Sequence, residues 1–210
     1  MPRRRSFDET DVVERAMEIF WTQGYEATSY TDLTAHVGLH PGSLYRAFGD
    51  KQAIFLRSLE HYRDSQTRTL APFLLAGGPV LPRIRAVLVG YLDLAARQQP
   101  APRGCLIANT AGERLPGDAA VAARLAEILA LVEDGFLQGL RKASQEGEVV
   151  PGLDLPASAA MLTMLLEGLQ VLVKSDPDPQ RLARAVDTAL AGLAARPDVS
   201  APADEAASSG

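Results

Sequence analysis

The groups best placed to do chemistry lie between Thr31 and Phe48, in the run TDLTAHVGLHPGSLYRAF. Its spacing predicts two short helices, over 31–37 and 41–48, joined by a tight turn at Gly38-Leu39, the sequence shape of a helix-turn-helix. Leu33, Val37, Leu44 and Phe48 then pack inward, while Thr31, His40, Gly42, Ser43 and Arg46 face out as a polar surface. Hydroxyl, imidazole and guanidinium groups carried on a short helix suit the base edges of a DNA major groove. Ser29 can cap the first helix, with Asp32 completing a capping box. Pro41 suits the first turn of the second, where its missing N–H is no loss.

Elsewhere the reactive side chains do not assemble into a catalytic set. His36, His40 and His61 lie in the first third without HExxH or another metal spacing, and no Gly-rich phosphate loop or G-x-S-x-G elbow is present. No motif pairs Glu113 with Glu167. Neither catalysis nor a metal or cofactor is therefore expected. The single cysteine, Cys105, excludes an internal disulfide framework and suits a reducing cytoplasm. It lies at a predicted helix start beside Arg103, two features that lower a thiol pKa, so a redox-active thiolate and an inert buried thiol are both open.

These groups need a scaffold, and composition points to an all-α one. Hydrophobic residues make up 47% of the 210, enough for a real core, and Ala and Leu dominate over the 6% of aromatics. A first helix over 9–23 puts Val13, Ala16, Met17 and Phe20 on one face and ends at Gly24; Trp21 and Tyr25 cover the three-helix core or stack on nucleic acid. After Gly49-Asp50 a helix over 51–70 turns polar in its second half, which reads as a strut able to transmit movement between domains. Further helices are expected from the break at 75–82 to 97, over 104–114, 118–146, 156–175 and 179–195, about nine in all, with no strand. The run over 70–82 is broken by Pro72, Gly77, Gly78, Pro79 and Pro82, and the start lacks the apolar stretch of a signal peptide, so a cytoplasmic chain without a membrane span is expected.

The helix over 156–175 carries only Glu167 and Lys174 as charges and is apolar all round, which demands cover on every side. A two-fold partner supplies it if each copy contributes its last two helices to a four-helix interface. The candidate interface residues are Leu162, Leu165, Leu169, Leu172, Leu182, Val186, Leu190 and Leu193; burial within the same subunit is the alternative. The expected division is a helix-turn-helix domain over 1–50, a sensing and dimerisation domain over 51–196, and a disordered tail over 197–210. Net charge is −5, and residues 1–55 hold six Lys/Arg against eight Asp/Glu, so DNA binding must rest on placement, not bulk charge. Arg3 to Arg5 form the dense basic cluster, either a solvated terminus or an arm for a minor groove.

Val12 to Phe55 resembles the DNA-binding domain of the tetracycline-repressor family of bacterial transcription regulators, through AMEIF, GYEATS, DLTAHVGL and GSLYRAFGDKQAIF. Ala47 stands where the family often has His, and His40 where a small polar residue is common. The resemblance implies that Thr31, His40, Pro41, Gly42, Ser43 and Arg46 contact DNA, with Tyr45 and Lys51 on phosphates; Tyr45 as core and Lys51 as a solvated lysine stay open. It also implies a homodimeric repressor released from a palindromic operator by a small molecule; the alternative is a dimeric helical adaptor with a vestigial helix-turn-helix. RGCLIANTAGE, residues 103–113, is similar to a subgroup of these regulators, and Cys105, Asn109 and Glu113 are four apart on one helix face. They point into a ligand pocket or make helix–helix hydrogen bonds, and Tyr91, Phe136 and Met164 are pocket walls or plain core.

Overall fold

A computed structural model of the chain describes residues 7–97, 103–175 and 178–195. The Arg3–Arg5 cluster and the 197–210 tail lie outside the described residues. Nine helices are present among those described: α1 (Glu9–Gln23), α2 (Tyr30–Val37), α3 (Pro41–Phe48), α4 (Lys51–Leu75), α5 (Val80–Arg97), α6 (Leu106–Arg114), α7 (Ala119–Gln145), α8 (Leu155–Leu172) and α9 (Pro179–Ala191). There is no strand among them, only an isolated antiparallel bridge between Val149 and Ala194.

Local chemistry sets the first three boundaries. Asp8 caps α1 through the Thr10 amide at 2.8 Å. Ser29 and Asp32 form the expected capping box of α2, each side chain accepting from the other's amide at 3.0 Å. Gly38, at φ 72° and ψ 27°, supplies the left-handed residue that turns the chain toward α3. Leu33 and Leu44 are fully buried, with Val37 and Phe48 beside them.

Three later boundaries differ from expectation, each for a long-range reason. α4 runs past Pro72 to Leu75 because Leu74 is fully buried and anchors the last turn. Pro72 and Arg68 lie on the exposed side, where water can serve the carbonyl that proline leaves without an N–H. α5 starts at Val80, before Pro82, because the distant Glu148 carboxylate accepts the Val80 and Leu81 amides at 2.8 and 3.0 Å. α9 stops at Ala191, where the chain turns to pair with the loop after α7, Val150 N–H donating to Leu193 O at 3.0 Å and Ala195 N–H to Glu148 O at 2.8 Å.

Two cores result. One joins α1–α3 and the first half of α4 to Cys105, Leu106 and Ile107 and to Val121, Leu125 and Ile128 of α7. The other joins the end of α4 to α5, the second half of α7, α8 and α9. Residue 50 is therefore no break in packing: α4 and α7 run through both cores.

α8 has the length and hydropathy of a membrane span, but Leu162, Leu166 and Leu169 insert into the second core. Here the expected interface is corrected. Leu162, Leu169, Leu182, Val186, Leu190 and Leu193 are all buried inside their own subunit, and Leu165 packs against the same core; of the eight, Leu172 is exposed. The reason is that α5, α6 and α7 already cover the inner side of α8, leaving Met164, Val171 and Leu172 on its outer side.

Close approach of α4 and α7 depends on Gly135 and Gly139. A Cβ on Gly135 would lie 2.9 Å from Leu70 Cδ2, and one on Gly139 would lie 3.3 Å from Leu74 Cβ and 3.4 Å from Val80 Cγ1. Gly139→Val should therefore lower stability by about 1–3 kcal/mol in a denaturant titration, because the Leu74 anchor has nowhere to move.

Candidate nucleic-acid interface

α3 is short, buries Leu44 and Phe48, and leaves Pro41, Gly42, Tyr45 and Arg46 exposed on its other side. Tyr45 is 63% exposed, which removes the core-packing reading. Thr31 is exposed at the start of α2, and Ser43 is half-buried beside Gly42. His40 caps α3, its Nδ1 accepting the Gly42 amide at 3.4 Å, so a neutral ring keeps Nε2–H as its remaining donor. Thr31, His40, Pro41, Gly42, Ser43, Tyr45 and Arg46 thus share one accessible surface.

Lys51 does not join them. Its ammonium donates to Tyr25 O at 2.9 Å and to Thr28 O at 3.0 Å, and lies 4.1 Å from the centre of the Tyr25 ring. It is not a solvated lysine but a staple between α4 and the α1–α2 loop. Of the neighbouring helix N-termini, the start of α2 is filled by Asp32, and the start of α4 by Asp50, which accepts from the Ala53 amide at 2.8 Å. The start of α3 holds no acidic residue, so its positive end remains available to an anion.

Behind the interface the α1–α2 loop is gripped by α6. Glu113 accepts the Tyr25 amide at 2.8 Å and the Glu26 amide at 2.7 Å. Gly24 makes this approach feasible: it sits at φ 87°, and a Cβ there would lie 2.9 Å from the Glu113 carboxylate. Next to it, Arg114 pairs with Glu26, donates to Asp118 at 2.7 Å, and lies 4.2 Å from the Tyr25 ring centre. Asp118 also accepts from Gln52 of α4 at 2.7 Å. Its carboxyl is lowered to about 2, first by the Arg114 hydrogen bond, then by the Val121 amide and Gln52. At the other end of α6, Trp21 donates its indole N–H to Gly104 O at 3.0 Å, with the Arg103 guanidinium 4.6 Å from its ring centre. Trp21 and Tyr25 are thereby part of the joint, not a stacking platform.

The expected pocket line along α6 dissolves into these bonds. Asn109 donates to Arg103 O at 3.0 Å and accepts from Lys174 at 2.6 Å, which is the helix–helix alternative. Cys105 is buried as the N-cap of α6, its Sγ accepting from the Ile107 amide at 3.2 Å. The thiol is pushed up to about 12, chiefly by burial and then by the charge of Glu167, so the lowered pKa expected from the helix start and Arg103 is overturned.

A cavity of about 370 Å³ does exist, between α4, α5, α7 and α8. Tyr91 lines it as expected; Phe136 is fully buried in the core and Met164 is 68% exposed on the outer side of α8, so neither is a wall. The remaining lining comes from Thr69, Leu70, Phe73, Val87, Gly90, Leu94, Val132 and Leu166. One signal in the sequence points to it: Gly90 interrupts a helix that has no turn there, and a Cβ at Gly90 would meet nothing within 4 Å.

Comparison with known proteins adds the following. Residues 12–57 match the family described as bacterial regulatory proteins, tetR family, and residues 80–189 match the tetracyclin repressor-like C-terminal domain. The HTH-type transcriptional regulator YezE of Bacillus subtilis is 32% identical over 194 residues, covering 92% of this chain and all of YezE. The HTH-type transcriptional repressor ComR of Escherichia coli is 26% identical, covering 90% of each. A cysteine-substituted form of the regulator CifR, solved with 26 base pairs of double-stranded operator DNA, superposes with a TM-score of 0.78 at 28% identity, covering 91% of this chain and 99% of that one.

Glu113→Ala would strip the carboxylate from two loop amides and should reduce stability by about 1–2 kcal/mol, since the site is partly solvated. Thermal unfolding followed by Trp21 emission measures it. Acid should act on the same joint. The Asp118 carboxyl has its folded pKa below the ordinary 3.8, so its contribution is complete above that value and is lost as pH falls toward about 2. An Asp118→Asn variant should show a shallower loss of stability across that window than the parent chain.

Proposed function

Because the chain belongs to the tetracycline-repressor family of bacterial transcription regulators, we propose that it is a cytoplasmic homodimeric repressor that holds a palindromic operator and releases it when a small molecule fills the cavity beside Tyr91. The observation that carries this reading is the exposed side of α3, which offers Pro41, Gly42, Tyr45 and Arg46 together at a helix start free of acidic residues. Arg46 reads a guanine edge or clamps a phosphate, Ser43 and His40 donate to base edges, and Gly42 lets the backbone come close. Tyr45 and Thr31 fix register through phosphates.

A second copy supplies cover for the outer side of α8. Met164, Gly168, Val171 and Leu172 recur at one-turn and two-turn spacing, and a Cβ at Gly168 would meet nothing within 4 Å, so a facing helix can approach closely there. Two reading helices related by a dyad then address half-sites separated by whole turns of duplex, about 34 Å or its multiples. Release is a population shift toward the dimer geometry that binds ligand better, and coupling is reciprocal: operator weakens ligand binding by the same factor.

A gel shift on the chain's own upstream DNA tests the proposal. Arg46→Ala should weaken operator binding by about 10- to 100-fold and relax preference at one position of each half-site. Val171→Glu should convert the species seen by solution scattering from dimer to monomer and cost operator affinity with it. A wild-type chain that runs as a monomer and retards no upstream fragment would favour the adaptor reading instead.

A further inference from the structure

The cavity beside Tyr91 has a chemistry that narrows what it can hold. Among the described residues nine line it and none of these is charged; the polar side chains they offer are Thr69 and Tyr91. An ion placed there would lose its hydration with no opposite charge in the wall. Its volume of about 370 Å³ is near the lower end for organic-ligand sites, which limits the occupant to a compact molecule.

Behind the wall stands a buried polar chain. The Tyr91 hydroxyl is hydrogen-bonded to that of Tyr62, which lies 3.7 Å from Cys105 Sγ, and the thiol pairs with Glu167 of α8. Glu167 Oε2 is buried with no hydrogen-bond partner among the described residues, and the carboxyl is raised by burial. Burial, and to a lesser degree Cys105 and Glu167, push the Tyr91 hydroxyl up to about 12, so the phenol stays neutral, able both to donate and to accept. Glu167 is not among the lining residues described, so neither an anion nor a cation finds a charged partner there.

The same chain leads to the joint. Cys105 is the N-cap of α6, and Tyr62 meets Trp21 edge-on at 5.3 Å between ring centres. A ligand that engages the Tyr91 hydroxyl competes for the bond to Tyr62, and so acts on the start of the helix whose far end holds the α1–α2 loop through Glu113.

We propose, on the premise that the chain is a regulator released by an effector, that the effector is a compact uncharged molecule, apolar except for one hydroxyl or similar group read by Tyr91, and that Tyr62 relays its arrival to α6. The test uses the whole chain without DNA and four probes that do not absorb where tryptophan does: 4-tert-butylcyclohexanol, tert-butylcyclohexane, 4-tert-butylcyclohexanecarboxylate and 4-tert-butylcyclohexylammonium. Calorimetry gives affinity, and Trp21, the single tryptophan, reports on the joint. The alcohol should bind at least about 10-fold tighter than either ion, the desolvation penalty being uncompensated for both. Tyr91→Phe should weaken the alcohol by about 2- to 10-fold and leave the hydrocarbon unchanged. Tyr62→Phe should keep the alcohol's affinity but abolish the change it causes in Trp21 emission. Gly90→Leu, which fills the cavity from a helix position with open space, should remove binding of all four probes with circular dichroism unchanged.

An ion binding tightest, no probe binding at all, or undiminished alcohol binding in Gly90→Leu would each overturn the assignment of the ligand. Unchanged Trp21 coupling in Tyr62→Phe would overturn the relay. Since no operator is present, a failure of the DNA-binding reading would surface in the gel shift and not in these measurements.

Discussion

The Glu113 carboxylate, set against the amides of Tyr25 and Glu26, is the contact on which the rest of the arrangement turns. Those amides belong to the loop that fixes where α2 begins, and α2 in turn sets the position of α3. A rigid reading surface needs that loop held. The grip comes from α6, far along the chain, and it is reinforced by Arg114 and Lys51, both lying near the Tyr25 ring. Because Glu113 is partly solvated, the contact is strong enough to orient the loop yet weak enough to be traded for another geometry. A buried apolar lock would orient as well but would resist switching.

Continuity of packing follows from the same constraint. α4 begins beside the α1–α2 loop and ends beneath α7, while Cys105, Leu106 and Ile107 fall in the core that also contains Phe20, Tyr25 and Phe55. The DNA-reading helices therefore do not hang from a flexible linker. Movement in the second core can reach the first along α4 and α7, which run through both, and through α6. The α6 route carries polar contacts at both ends, Trp21 to Gly104 at one and Glu113 to the loop at the other.

Electrostatics explains why so acidic a chain can still present a DNA-binding surface. Three acidic groups of the first four helices sit at helix starts: Asp8 on α1, Asp32 on α2, Asp50 on α4. Each neutralises a helix start that would otherwise attract phosphate. α3 is spared, capped instead by His40 with Pro41 behind it, so the one reading helix keeps its positive end open.

Sequence alone determined whatever depends on near neighbours. Helical periodicity, the Ser29–Asp32 capping box, Gly38 at the turn, Pro41 at a first turn and the outward side of α3 all follow from residues within one or two turns of each other, and the family resemblance rests on that same run. Tertiary structure decided whatever depends on which distant group arrives. Lys51 looked like a surface cation until two loop carbonyls came within its reach. Glu113 and Asn109 shared a helix face that suited a pocket, but their partners were a loop 87 residues upstream and a lysine 65 residues downstream. The apolar girth of α8 could not say which side its own subunit would cover, and Leu162 and Leu169 went inside while Met164 and Val171 stayed out. Periodicity records that a side chain is apolar or polar; only the packed chain supplies the partner that gives that property a role.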